Sequence, residues 1–560
     1  MNTAPPTLPT LPQHAPDAAA RAAQLAAERA RYAWDYSYQS LGFLKELPES
    51  ERFNARYMAQ GADAAVHIKA NRAAWAVAGH ALEKELTRPA SLADFDTMFP
   101  ALDAPAVVPH WRDDAHFAWQ RVAGAVPTLL TGVERLSDHF PVTQAHFARA
   151  MGDGDSLDAA RAEGRLFVCD YAVFDDIPCG RYPPRQRDGL QKYLPAPLAL
   201  FCASPRVRGG LAPVAIQCAQ RPGDDSPIYT PADGMRWQLA KLAVQVADAN
   251  LEGIVVHFGY THLVLQAFVV AARRCLSPEH PVLHLLAPHF EFTLAANQYA
   301  RDTLVTVDGI QDRILAPKLP ATHAVLRACI RAVDYDDLDP TRDAARHRVA
   351  DRDALPTHPF RDDGVDLWNA TRRWVDAYLT LYYPSDADAA ADTELRAMVD
   401  EVASLDGAQL PRLVAGVDTR TRAGVVDLVA RIIHRASGYH AAINYNWWDW
   451  MGHAPNAPSV CVAPWPRPNE PADEARLLAM LPPMGAAWET VAQIYNVKSI
   501  AANRLGEYPD GFVDPRVAPL RAAYAAELAG VEARIEARNA RRLVAYDCMR
   551  PSRVTASINS

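Results

Sequence analysis

From Asp17 to about Arg149 alanine carries most of the apolar positions, and they recur at helical spacing, as in Ala-Ala-Arg-Ala-Ala-Gln-Leu-Ala-Ala-Glu at residues 19–28. Alanine is the strongest helix former, so this stretch is expected to be helical, with breaks around Pro89, Pro100, Pro105 and Pro109. No alternating apolar–polar series predicts strands there. After residue 165 short apolar runs such as 166–169 and 213–217 predict strands between loops. Beyond them long helical patterns run to the end, which predicts a mainly α fold with a few short strands. Gly152-Asp-Gly-Asp155 reads as a turn, and no internal repeat is seen.

The first sixteen residues contain five prolines and no apolar core of a signal peptide, so 1–16 is expected to be a disordered tail of a cytoplasmic protein. The longest apolar run noted, 195–201, is short and proline-broken. No stretch is expected to reach the ~18 apolar residues of a spanning helix, so any membrane contact would be peripheral. Of 560 residues 49% are hydrophobic and 22% charged, an ordinary globular composition. A net charge of -9 without a lysine/arginine cluster argues against nucleic acid as a partner. The eight cysteines, Cys169, Cys179, Cys202, Cys218, Cys275, Cys329, Cys461 and Cys548, form no CxxC pair and read as free thiols of a reducing compartment.

Candidate chemistry lies in two helical runs. His257 and His262 are five residues apart in His257-Phe-Gly-Tyr-Thr-His262, and His440 and Asn444 are four apart in His440-Ala-Ala-Ile-Asn444. Three neutral imidazoles and an amide oxygen, with no thiolate, suit a redox metal such as iron better than magnesium, calcium or structural zinc; manganese stays open. On a regular helix positions four apart share a face, whereas positions five apart diverge by ~140°. His257 and His262 therefore meet at one metal only if their helix carries a π-bulge, which Gly259 would ease. A solitary histidine is usually a core or surface residue, the reading given to His280, His284, His289 and His434. Asp175-Asp176, Asp336-Asp337 and Asp362-Asp363 read as solvated caps or turns, because adjacent helical residues do not face each other. No G-x-S-x-G, HExxH or P-loop motif is present.

The flanks of these residues carry a resemblance. The run from Trp237 through Lys241, Gln245 and Asp248 to the two histidines, then Pro288-His-Phe290 and Asn297, Asp363-Gly-Val-Asp-Leu-Trp368, Ser437-Gly-Tyr-His440 and the end at Pro551–Ser560, resembles the catalytic domain of the lipoxygenases over roughly 165–560. The resemblance implies one large helical catalytic domain over 151–560, preceded by a helical region over 17–150 in place of the β-barrel of plant and animal members. It implies non-haem iron held by His257, His262, His440, Asn444 and the terminal carboxylate of Ser560, where the family usually ends in Ile. Trp447, Gly253 and Ala457 stand where a Gln, another polar residue and an Arg are common.

The implied activity is dioxygenation of a polyunsaturated fatty acid or lipid ester by O2, in a monomer, with no side-chain general base. Ala300 matches a position where Ala accompanies S products, Leu304 one near the oxygen path, and Ile314 and Leu315 ones that set pocket depth. Each of the four reads equally well as plain core. Two alternatives remain beside this one. In the first the same iron rearranges hydroperoxides or oxidises a specialised lipid; in the second the chain is a metal-free lipid-binding relative.

Overall fold

A computed structural model describes residues 8–38, 41–78, 88–182, 189–509 and 511–560. Its axis is the 41-residue helical run Met235–Cys275, apolar enough by length and composition to cross a membrane, yet 94% of its most apolar window is buried inside the protein. Residues 253–272 contain no Asp, Glu, Lys or Arg. The sequence reading that no run reaches spanning length, with 195–201 the longest, is thus corrected: this run is longer, and its apolar surface faces core on every side. A helix that is apolar all round belongs in the middle of a large protein. Across it lies a second continuous run made of Arg422–His434, Arg435–Tyr439 and His440–Asn444.

Further helices enclose this pair. Pro359–Thr380 packs on Arg422–His434 and on Val517–Asn539, and Ala55–Val77 packs on Met484–Ser499. A five-stranded antiparallel sheet closes one side, in the order Thr131–Gly132, Leu166–Asp170, Leu198–Ala203, Leu211–Gln217 and Ile228–Tyr229. Both strands expected at 166–169 and 213–217 belong to it. Its inner strands are buried on both faces, which explains their continuous apolar runs. The sheet crosses residue 150, so the helical N-terminal region and the rest share one core. The buried Arg121–Asp248 ion pair, with Tyr171 donating to Asp248, ties helix Asp114–Ala123 to the axial helix.

Other expectations change. Within the proline-rich stretch 1–16, residues 8–16 are placed: Leu11 is buried, and the Thr10 amide donates to the Glu279 carbonyl at 2.9 Å. One buried leucine anchors a segment that composition alone marks as unstructured. Residues 1–7 of that stretch, and 39–40 and 79–87 of the helical region, lie outside the described residues. A two-residue strand pair, Trp34–Asp35 with Phe43–Leu44, interrupts the helical N-terminal region. Asp362 and Asp363 are neither solvated nor a turn. They lie buried in helix Pro359–Thr380, Asp362 on Arg361 and Asp363 on Arg538 and Arg542.

Candidate metal centre

The axial run is a π-helix over Glu252–Leu263, flanked by α-helix on both sides. A π-helix advances by i→i+5, so residues five apart stack, and His257 and His262 face the same point. The distortion is longer than the single bulge expected from the spacing. Thr261 supports it by donating its hydroxyl to the Val256 carbonyl at 2.8 Å, five residues back. Gly259 has a further reason to be small: a Cβ there would lie 3.1 Å from Leu326 Cδ1. Two more π segments, Arg435–Tyr439 just before His440 and Ala300–Leu304 on the pocket wall, were not foreseen.

His257, His262 and His440 converge, with ligand atoms all within 4.8 Å of one another. The Nε2 atoms of His257 and His262 are 3.2 Å apart. His262 Nδ1 donates to Asn297 Oδ1 at 2.7 Å, an oxygen whose orientation is set because Asn297 Nδ2 donates to the His262 carbonyl and to Gln266. That fixes the His262 tautomer and leaves Nε2 as a lone pair toward the cluster. Burial, reinforced by His262 and His440, pushes His257 well below its ordinary range; burial takes His262 to about 4, and burial with the neighbouring His262 ring takes His440 to about 3. All three rings are neutral near pH 7, the form that binds a metal.

Asn444 and Ser560 lie beside the three rings. The Asn444 amide donates to Ser560 Oγ at 2.9 Å, which leaves its buried Oδ1 without a partner. The main-chain end of Ser560 stands beside the His262 and His440 rings. Buried polar atoms without partners are costly, and here Asn444 Oδ1 and the His440 ring nitrogens have none, while one nitrogen of His440 meets the His257 and His262 rings. The residues fit a first-row metal. Ser560 thus supplies more than a main-chain group: its hydroxyl orients Asn444.

Trp447 stands edge-on to His257, with ring centroids 4.7 Å apart. Its indole N–H faces the Glu252 carboxyl without closing a full hydrogen bond. Burial raises Glu252 well above the usual carboxylate range. Neither Glu252 nor this contact was anticipated from sequence, where a glutamate inside an apolar helix is the one available signal.

A cavity of about 100 Å³ opens on His257, His262 and Ser560. Ala300, Leu304, Ile314 and Leu315 all line it, so one cavity gathers the four positions marked in the sequence. Gly253 also lines it, against Leu315. Tyr57, from the helix Ala55–Val77, closes one wall, and Gln311, Gln493 and Asn496 add neutral polar groups; none of these was legible in advance. Ala457 is buried and not part of the lining.

The Lipoxygenase family profile matches residues 85–545. The chain belongs to the lipoxygenase family. Like other lipoxygenases it is a dioxygenase, and its fold is the mainly helical lipoxygenase catalytic fold. A linoleate 9/13-lipoxygenase of Pseudomonas aeruginosa is 38% identical over 482 residues, covering 83% of this chain and 69% of that protein. The hydroperoxide isomerase ALOXE3 of Mus musculus is 32% identical over 460 residues, 81% of this chain and 63% of that protein. A lipoxygenase crystal structure in complex with arachidonate superposes with a TM-score of 0.90 at 25% identity, covering 99% of this chain and 84% of that one.

Proposed function

We propose that this lipoxygenase is a non-haem iron enzyme that oxygenates a polyunsaturated fatty acid, free or esterified, to an S-configured hydroperoxide. The observation that carries the reading is the cluster of three buried neutral histidines beside the unpartnered Asn444 oxygen, which an apolar slot reaches through His257, His262 and Ser560. His257, His262, His440, Asn444 and the Ser560 carboxylate would hold the iron, which when bound supplies the one-electron oxidation of a doubly allylic C–H. The chain's own part is to neutralise the rings by burial, to fix His262 through Asn297, and to keep water from the slot. The Ala300 methyl group shields one face of the bound chain and directs O2 to the position that yields S product.

Among the described residues no Lys or Arg lines the slot, which supports entry methyl-end first, with the carboxylate or ester left at the mouth. Met58 and Val66 lie exposed on the same helix that sends Tyr57 into the pocket, which supports peripheral contact with a lipid surface. The unpaired cysteines support a cytoplasmic setting. The chain is read as a monomer. The test is metal analysis with oxygen uptake on linoleate and arachidonate and chiral separation of the products. Stoichiometric iron and an S hydroperoxide are expected; manganese or an R product overturns that part of the reading. Trp447 against His257 favours a second reading, rearrangement of a supplied hydroperoxide, which product analysis separates because it consumes no net O2.

A further inference from the structure

On the side of the axial helix away from the catalytic slot lies a second cavity, of about 330 Å³, within the ~300–1,000 Å³ range of small-molecule sites. Its apolar wall includes Leu251, Val255 and Val333, and the π-helix that carries His257 forms its floor. Its polar side holds Arg435, which is 4% exposed. Arg435 donates to the Asp337 carbonyl at 2.6 Å and lies 3.7 Å over the Tyr439 ring, but its Nε has no partner, and among the described residues no carboxylate pairs with it. The other charges of the cavity are already engaged. Asp337 takes Arg346, Asp343 takes His347, and Asp170 accepts from the Ala172 amide and Gln220. A buried guanidinium without a counter-ion is strongly unfavourable, and an anion that enters with an apolar tail satisfies both halves of this cavity.

We propose that this cavity binds an anionic amphiphile, its carboxylate on Arg435 and its chain along Leu251, Val255 and Val333, at a site separate from the catalytic pocket. A fatty acid and its oxygenated product share this chemistry. The test is isothermal titration of the metal-loaded full chain with dodecanoate, which has no doubly allylic carbon and is not oxygenated. Two sites are expected in the wild type. In Arg435→Met, and separately in Val333→Phe, which fills the cavity and keeps the charge, one site weakens at least about tenfold while the other and the metal content are unchanged. Dodecanol is expected to fill only the catalytic slot. Titration with the hydroxy acid made from linoleate distinguishes the sources: preferential filling of the Arg435 site by it assigns the product, and equal filling assigns fatty acids in general. A single site in the wild type for both acids, or a second site indifferent to both substitutions, overturns the proposal, whatever the outcome for catalysis.

Discussion

His262 is held at both ends, by Asn297 on Nδ1 and by the cluster on Nε2. His262→Ala is expected to lower bound iron and oxygen uptake together by at least about tenfold, measured by metal analysis and an oxygen electrode; full retention of both removes His262 from the ligand set. At the chain end the two roles of Ser560 separate. Ser560→Ile keeps the carboxylate and removes the hydroxyl that orients Asn444, so iron is expected to stay while its electron paramagnetic resonance spectrum shifts. A C-terminal extension turns the carboxylate into an amide, and iron loading is expected to fall; equal loading excludes the carboxylate as a ligand. Ala300 lines the slot from its π segment, and Ala300→Gly is expected to raise the R fraction of the product on a chiral column.

Among the helices, Pro359–Thr380 depends on a buried charge. Asp363 is fully buried, and burial raises its pKa even though Arg542 and Arg538 from the Val517–Asn539 side pull it down. Removing one member leaves the other charges unpaired in the core, at a cost on the order of 3 kcal/mol. Asp363→Asn is therefore expected to lower the denaturant midpoint clearly, whereas the exposed pair Arg135–Asp138 can be removed with little change. Comparable midpoints for the two variants show that the Asp363 cluster does not join these helices.

For the molecule as a whole, three buried histidines outside the metal centre set an acid limit. Burial takes His289 to about 4 and His358 and His434 to about 3. In the unfolded chain each regains its ordinary value near 6.5, so between 6.5 and those depressed values the unfolded chain binds more protons. Their contribution is full above about pH 6.5 and is lost as the pH falls toward 4, by roughly 1.4 kcal/mol per pH unit for each. Melting temperature is expected to drop steeply between pH 6.5 and 4; His434→Phe should flatten that slope, and a pH-independent melting temperature contradicts the burial of these rings as neutral species.

Local sequence determined a good deal of this protein. Alanine-rich spacing specified the N-terminal helices, β-branched and apolar runs the strands, and the four-residue spacing of His440 and Asn444 their common face, because each depends on neighbours along the chain. Even the need for a π distortion at His257 was legible, since five-residue spacing admits no other way for both rings to meet. What tertiary structure alone decided depends on residues far apart in sequence. Leu11 anchors a proline-rich segment because a core lies ready to receive it, and Asp363 is buried because Arg538 and Arg542 come back to it. Asn444 is oriented by the hydroxyl of Ser560, Tyr57 closes the slot from the N-terminal region, and Arg435 lies at a cavity with no carboxylate paired to it among the described residues. None of these leaves a local periodicity to read, because contacts between distant elements form only when the whole core closes.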